Sequence, residues 1–134
     1  MRAGRVLRKI VMDRIIAQVP ALDGRVYDKA TEETASPYVT LGPSYWSDNS
    51  ADCIKGRLQT LQIDVWADQS NKGRLEDVVD DIAAALDGWA DTEALTMHTL
   101  SVSIARVMDD PSGAVHGVIQ VEALLENGPT QPEN

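Results

Sequence analysis

Met97-His98-Thr99-Leu100-Ser101-Val102-Ser103-Ile104-Ala105-Arg106-Val107, a turn of Asp109-Asp110-Pro111-Ser112-Gly113, and Ala114-Val115-His116-Gly117-Val118-Ile119-Gln120-Val121-Glu122-Ala123-Leu124-Leu125-Glu126 decide the fold. Both runs alternate apolar and polar residues, and a Pro-Ser-Gly turn separates them. That is the pattern of two half-buried strands in a hairpin. In the first run Leu100, Val102 and Ile104 share one face, with Thr99, Ser101, Ser103 and Ala105 opposite. In the second, Val115, Gly117, Ile119, Val121, Ala123 and Leu125 form the core face. Gly117 on that face leaves room for a helix or a neighbouring backbone to approach closely.

The period changes upstream of the hairpin. Leu75, Val78, Val79, Ile82, Ala83 and Leu86 make one helical stripe over about residues 71–87. Asp68-Gln69-Ser70-Asn71 supplies N-cap chemistry and Gly88 a C-cap. Trp89 then closes over the helix end or lies at a subunit contact. Before this helix, Arg57 to Ala67 alternates again, with Gln59, Leu61, Ile63 and Val65 on the core side. Residues 43–56 hold Pro43, Asn49 and Gly56 and read as a long loop, a length that is commonly functional. Pro37 to Gly42 and Arg25 to Asp28 are short strands. Residues 3–18 form a helix with Val6, Leu7, Ile10, Val11, Arg14 and Ile15 on one stripe, ended by Pro20. Residues 127–134 lack an apolar anchor and are expected to be a disordered tail, which leaves 1–126 as a single domain. The order α-β-β-β-α-β-β predicts an α+β fold, a mostly antiparallel sheet with both helices on one face.

The 134 residues suffice for one core, and the absence of Phe makes that core aliphatic. The net charge of −9 is uneven. Residues 1–14 carry five basic side chains and one acid, whereas the remainder carries seven bases and twenty acids. Most of the surface therefore repels nucleic acid, although the basic segment can touch phosphate. The single Cys53 excludes an internal disulfide and a thiolate metal cluster. No apolar run is long enough to span a bilayer, and the N-terminus lacks the apolar core of a secretion signal, so synthesis in the cytosol is expected.

Catalytic constellations are weak. His98 and His116 fall on the same hairpin, but a metal site needs a further ligand at fixed geometry. Glu76, Asp77, Asp80 and Asp81 have helical spacing suited to a cation or a basic neighbour, but a plain solvated face is the favoured reading of such a charge run. Asp48 and Asp52 lack the spacing of a calcium loop. No phosphate-binding glycine pattern or nucleophile elbow is present. No cofactor, metal or catalytic residue is expected.

Four ordered segments carry a resemblance. They are Gly24-Arg25-Val26-Tyr27-Asp28; Pro37-Tyr38-Val39-Thr40-Leu41-Gly42; Ile63-Asp64-Val65-Trp66 followed by Gly73 and the helix to Leu86; and Arg106-Val107-Met108-Asp109-Asp110-Pro111 through His116-Gly117-Val118-Ile119 to Ala123-Leu124-Leu125-Glu126. Together they resemble the phage tail-completion (tail-terminator, head–tail joining) protein family. The resemblance implies a structural virion protein at the head–tail junction, assembled in the bacterial host cytoplasm. It implies a ring, typically a hexamer, that caps the head-proximal end of the tail tube, stops its growth and joins it to the head connector. DNA passes through the ring without sequence-specific binding, and no membrane is involved. The source would be a phage, a prophage or a gene-transfer particle. The sequence departs from the usual family pattern in its short basic first helix and in the acids of its second. Candidate contacts with other subunits or partners are Arg5, Arg8 and Lys9 of the basic helix, Tyr45, Trp46, Asp48 and Asp52 of the loop, and Glu76, Asp77, Asp80 and Asp81. The alternatives are a neck adaptor next to the portal and a small metal-binding enzyme domain.

Overall fold

Helix α1 spans Ala3–Gln18, and its apolar stripe is buried through Leu7, Ile10, Val11 and Ile15. Pro20 opens a single 3-10 turn over Pro20–Leu22, as a residue without a backbone N–H can at a helix start. Five strands follow: β1 (Val26–Tyr27), β2 (Tyr38–Asp48), β3 (Lys55–Ala67), β4 (Ser101–Asp109) and β5 (Val115–Asn127). Helix α2 (Lys72–Leu86) lies between β3 and β4. The computed structural model describes residues 2–29, 35–68 and 72–127. The expected capping residues 69–71 and the tail beyond 127 lie outside them. Asn127, assigned to that tail from sequence, ends β5 opposite Lys55.

The sheet order is β1-β2-β3-β5-β4. Only the β1–β2 pairing is parallel; the other neighbours run antiparallel. The fold is α+β, and both helices cover one face. The start of α1 lies over Gln59, and α2 lies over Val65 and Gly117. These three residues belong to the inward rows of β3 and β5, which pair continuously from Lys55↔Asn127 to Ala67↔Val115. All the inward aliphatics read from sequence on those two strands are buried, among them Leu61, Ile63, Val65, Ile119, Val121 and Leu125. From the helix side Leu75, Ile82 and Leu86 are also fully buried, each contributing about 1.5–3 kcal/mol by apolar burial.

Two local readings are corrected. The long loop over 43–56 is a hairpin: β2 continues through Pro43 to Asp48, and β3 begins at Lys55. Pro43 is accommodated where the β2–β3 register shifts between Leu41 and Ser44, at a bulge on the part of β2 that has no second neighbour. The actual turn is short, with Ala51 bridged to Ile54 and Cys53 in the left-handed region at φ 64°. Tyr45, Trp46 and Asp48 are therefore strand residues, and only Asp52 of that group lies in the turn. The second correction concerns β4. A register shift between Val102 and Ile104 inserts Ser103 and reverses the alternation. Ile104 then faces outward beside Gln120 and is 46% exposed, while Val102 stays on the core side opposite Val121.

Helix α2 stops as its sequence dictates. Gly88 takes φ +77° and donates its N–H to Leu100 O at 2.8 Å. Arg14, the charged member of the α1 stripe, donates from Nε to Ala85 O at 3.0 Å and lies 5.1 Å from the Trp89 ring centroid. A cation at the carbonyl end of α2 complements its dipole. Trp89 thus closes the helix end from inside the fold, packed partly buried against the core.

The hairpin turn is built on Asp110, whose Oδ2 accepts the Ser112 N–H at 2.9 Å. Bonding to Ser112, through its side chain and then its backbone, holds the Asp110 carboxyl below the ordinary carboxylate value. A lowered folded-state value means that the contribution is complete above the unfolded value near pH 4 and is lost as pH falls through the folded one. An NMR titration of Asp110 is expected to show a midpoint below about 3.9 that moves upward in Ser112→Ala. An unshifted midpoint would contradict this account of the turn.

A Cβ at Gly117 would stand 2.7 Å from Val79 Cγ2. Gly117→Ala is expected to cost about 1–3 kcal/mol by overpacking in urea unfolding. Adding Val79→Ala should make the double variant less destabilised than the sum of the two single losses. Strict additivity would show that the contact is not limiting.

Candidate interaction surfaces

The histidines do not form a metal site. His98 is exposed, with Nε2 3.7 Å from Glu126 Oε1, and its backbone N–H bonds Leu124 O. His116 lies eight residues earlier on β5, about 26 Å away at strand spacing. Its ring stacks on Trp66 at 3.9 Å with an interplanar angle of 6°, on the sheet face opposite the helices. Its Nε2 meets Asp64 Oδ1 at 2.8 Å, and the same oxygen accepts from Gln62 Nε2 at 3.0 Å. Trp66 Nε1 donates to Thr40 Oγ1 at 3.1 Å. Gly42 belongs to this cluster, since a Cβ there would stand 2.6 Å from Asp64 Oδ2. The network closes the outer face where no helix covers it. Among the described residues, no group of three His, Cys, Asp or Glu side chains can hold a metal ion.

The basic residues of α1 divide into bonded and free. Arg8 is half-buried and donates to the carbonyls of Leu41 and Gly42 at 3.3 and 3.0 Å, just before the β2 bulge. It also lies 3.6 Å from Asp28. Lys9 pairs with Asp13 one turn on, at 2.9 Å, in solvent. Arg5 is exposed, and no side chain among the described residues pairs with it. On α2, Glu76, Asp77, Asp80 and Asp81 are all exposed, along the side away from the core. Tyr45 and Trp46 are 59% and 55% exposed. Asp48 accepts from Ser50 Oγ at 2.8 Å, and Asp52 is exposed at the hairpin tip.

Tyr45 and Trp46 face opposite sides of the sheet. Tyr45 pairs with Thr60 on the outer face, whereas Trp46 pairs with Gln59 on the helix side. There Trp46 forms one wall of an open cleft of about 450 Å³ at the start of α1. The Arg57 guanidinium carbon lies 4.8 Å from the Trp46 ring centroid. Arg2, Arg5 and Arg8 line the same cleft, with Gln59 at its floor. In the sequence Gln59 falls on the core face, but nothing in the spacing groups it with Arg2 and Arg57 as a site. The available signal was two polar residues, Arg57 and Gln59, at inward positions of a strand whose following inward residues are aliphatic.

These surfaces define the class of protein. It is an α+β protein whose conspicuous features are exposed aromatic and charged faces rather than a catalytic constellation. The family follows from comparison: the model for Tail completion protein gp17 matches residues 14–126, and the chain belongs to that family. It is a structural protein of the phage tail, located in the virion. No curated protein matches the sequence. A chain of a solved structure described as "Virion of native gene transfer agent (GTA) particle" has the same fold, with a TM-score of 0.74. It is 21% identical, and the match covers 87% of this chain and 92% of that one.

Arg8→Met is expected to lower stability by about 1.5–3 kcal/mol, because two carbonyls lose a charged donor. Lys9→Met should change it by less than about 0.5 kcal/mol, as for an exposed pair. Equal effects in denaturant titration would contradict this division of roles.

Proposed function

We propose that this chain is the tail terminator of its particle. Copies close into a ring, a hexamer, on the head-proximal end of the tail tube, halt its growth and join it to the head connector. The role is structural and includes no catalytic step. Family membership supports a tail protein, and one observation carries the ring reading: the outer half of β2, from Ser44 to Asp48, is an edge strand presenting Tyr45 and Trp46 to solvent. Aromatic residues are enriched at the centres of protein contacts. A head-to-tail contact that closes by rotation gives a ring. The exposed acids Glu76, Asp77, Asp80 and Asp81 of one copy and the basic start of α1 in the next, which includes Arg5 and Lys9, supply complementary charge around it. Asp48 and Asp52 lie at the rim of the same contact.

Acidic side chains also suit the lumen. A wall that repels phosphate lets DNA pass without adhering. The reading predicts a carboxylate-lined channel, and a basic or apolar lumen in a ring reconstruction would overturn that part.

Native mass spectrometry of the purified chain, with and without tail-tube protein, tests the assembly. A discrete closed oligomer is expected. Tyr45→Ala/Trp46→Ala should shift it to monomer while leaving the fold intact by circular dichroism. High salt should weaken assembly, because exposed charge pairs are screened. A chain that remains monomeric with tube protein present would overturn the ring.

A further inference from the structure

The cleft at the start of α1 has properties that the fold does not require. Arg57 is 8% exposed and Gln59 2% exposed, yet Arg57 Nε and Gln59 Oε1 are buried without a hydrogen-bond partner. Unmet polar groups at such depth carry a substantial cost. Asp48 stands opposite Arg57 in the strand register but bonds Ser50 instead. Burial also holds the Arg57 guanidinium below its ordinary value, the condition that an incoming anion relieves.

Further features at the same place favour negative charge. α1 is a 16-residue helix with no side-chain cap at Arg2 and no acid in its first turn, so the positive end of its dipole faces the cleft without a countercharge from that turn. Four arginines line the cleft with no carboxylate among its walls. Guanidinium groups present paired donors that match planar carboxylates.

We infer that this cleft is a docking site for an acidic segment of another protein chain, with a side-chain carboxylate among Arg2, Arg5 and Arg57 and a peptide N–H on the Gln59 carboxamide. Gln59 decides between carboxylate and nucleic acid. The buried Gln59 Oε1 lacks a donor, and a peptide carries N–H groups beside its acid that can supply one. A phosphodiester carries no such donor. The long-range field agrees, because residues 15–134 bear twenty acids against seven bases and repel DNA. Trp46 adds an apolar wall for the stem of the acidic side chain.

The test follows the Arg57 Nε–H resonance of the full chain by NMR. The probe is the peptide acetyl-Gly-Asp-Glu-Asp-Gly-amide, compared with its Asn/Gln counterpart, inorganic phosphate and a short DNA duplex. The acidic peptide should give a saturable shift that the neutral peptide does not. Arg57→Lys should weaken binding about tenfold, the loss of one charge-assisted fork. Gln59→Leu should weaken the peptide but leave any phosphate response unchanged. Arg5→Gln, on the exposed side of α1, should weaken the peptide without altering the unfolding midpoint, which separates binding from misfolding. The inference is overturned by no saturable peptide shift, by DNA or phosphate binding the cleft more tightly than the peptide, or by indifference to Arg5→Gln and Gln59→Leu. Binding is read on the isolated chain, so failure of ring closure would leave it standing. A ring whose cleft ignores the peptide removes this inference alone.

Discussion

The contact of α2 with the β3–β5 pair governs everything else in this molecule. A missing side chain at Gly117 lets Val79 sit directly on the sheet, with Val65 beside it. Strand alternation has period two, so a slip of one residue between β3 and β5 would turn Ile63, Val65, Ile119 and Val121 to the uncovered face. The long ladder from Lys55 to Ala67 prevents that slip and places the helices. With α2 fixed, Arg14 reaches its carbonyl end and Trp89 seals it. With α1 fixed, Arg8 reaches the bulge that allows β2 to continue past Pro43.

That continuation links fold to assembly. β2 crosses the bulge as an edge strand and carries Tyr45 to one face of the sheet and Trp46 to the other. Edge strands left open are normally blunted, and a bulge with Pro is a familiar means. Here the strand beyond the bulge carries exposed aromatics and ends at Asp48, with exposed Asp52 in the turn that follows, rather than in a cover. The helix side of the same edge meets the arginines of α1, so aromatic and cationic surfaces adjoin. The acids of α2 occupy another part of the exposed surface, which gives one copy two faces of opposite character.

Much of this was legible in the sequence. Both helices fall within a residue of their periodic stripes, and the inward row of β5 is buried as its alternation implied. What escaped has physical causes. Gly42 and Pro43 look like a strand end because single-chain patterning cannot see a bulge, and the partner that stabilises it, Arg8, is more than thirty residues away. In β4 the inserted Ser103 reverses the alternation, which turned Ile104 from a core residue into an exposed one. The Trp66–His116–Asp64 cluster joins residues about fifty positions apart, so periodicity alone cannot assemble it. The arginine cleft is of the same kind: Arg2, Arg5, Trp46 and Arg57 come together only when α1 lies across the β2–β3 ribbon.

On the proposed function, this chain is the piece that ends the tail tube. The most direct measurement is the length distribution of tubes assembled from purified tube protein, imaged by electron microscopy with this chain added at increasing ratios. Tubes that stop at lengths set by the ratio, with extra density at one end only, are the predicted result. Tubes of unchanged length, or decorated along their sides, would contradict it.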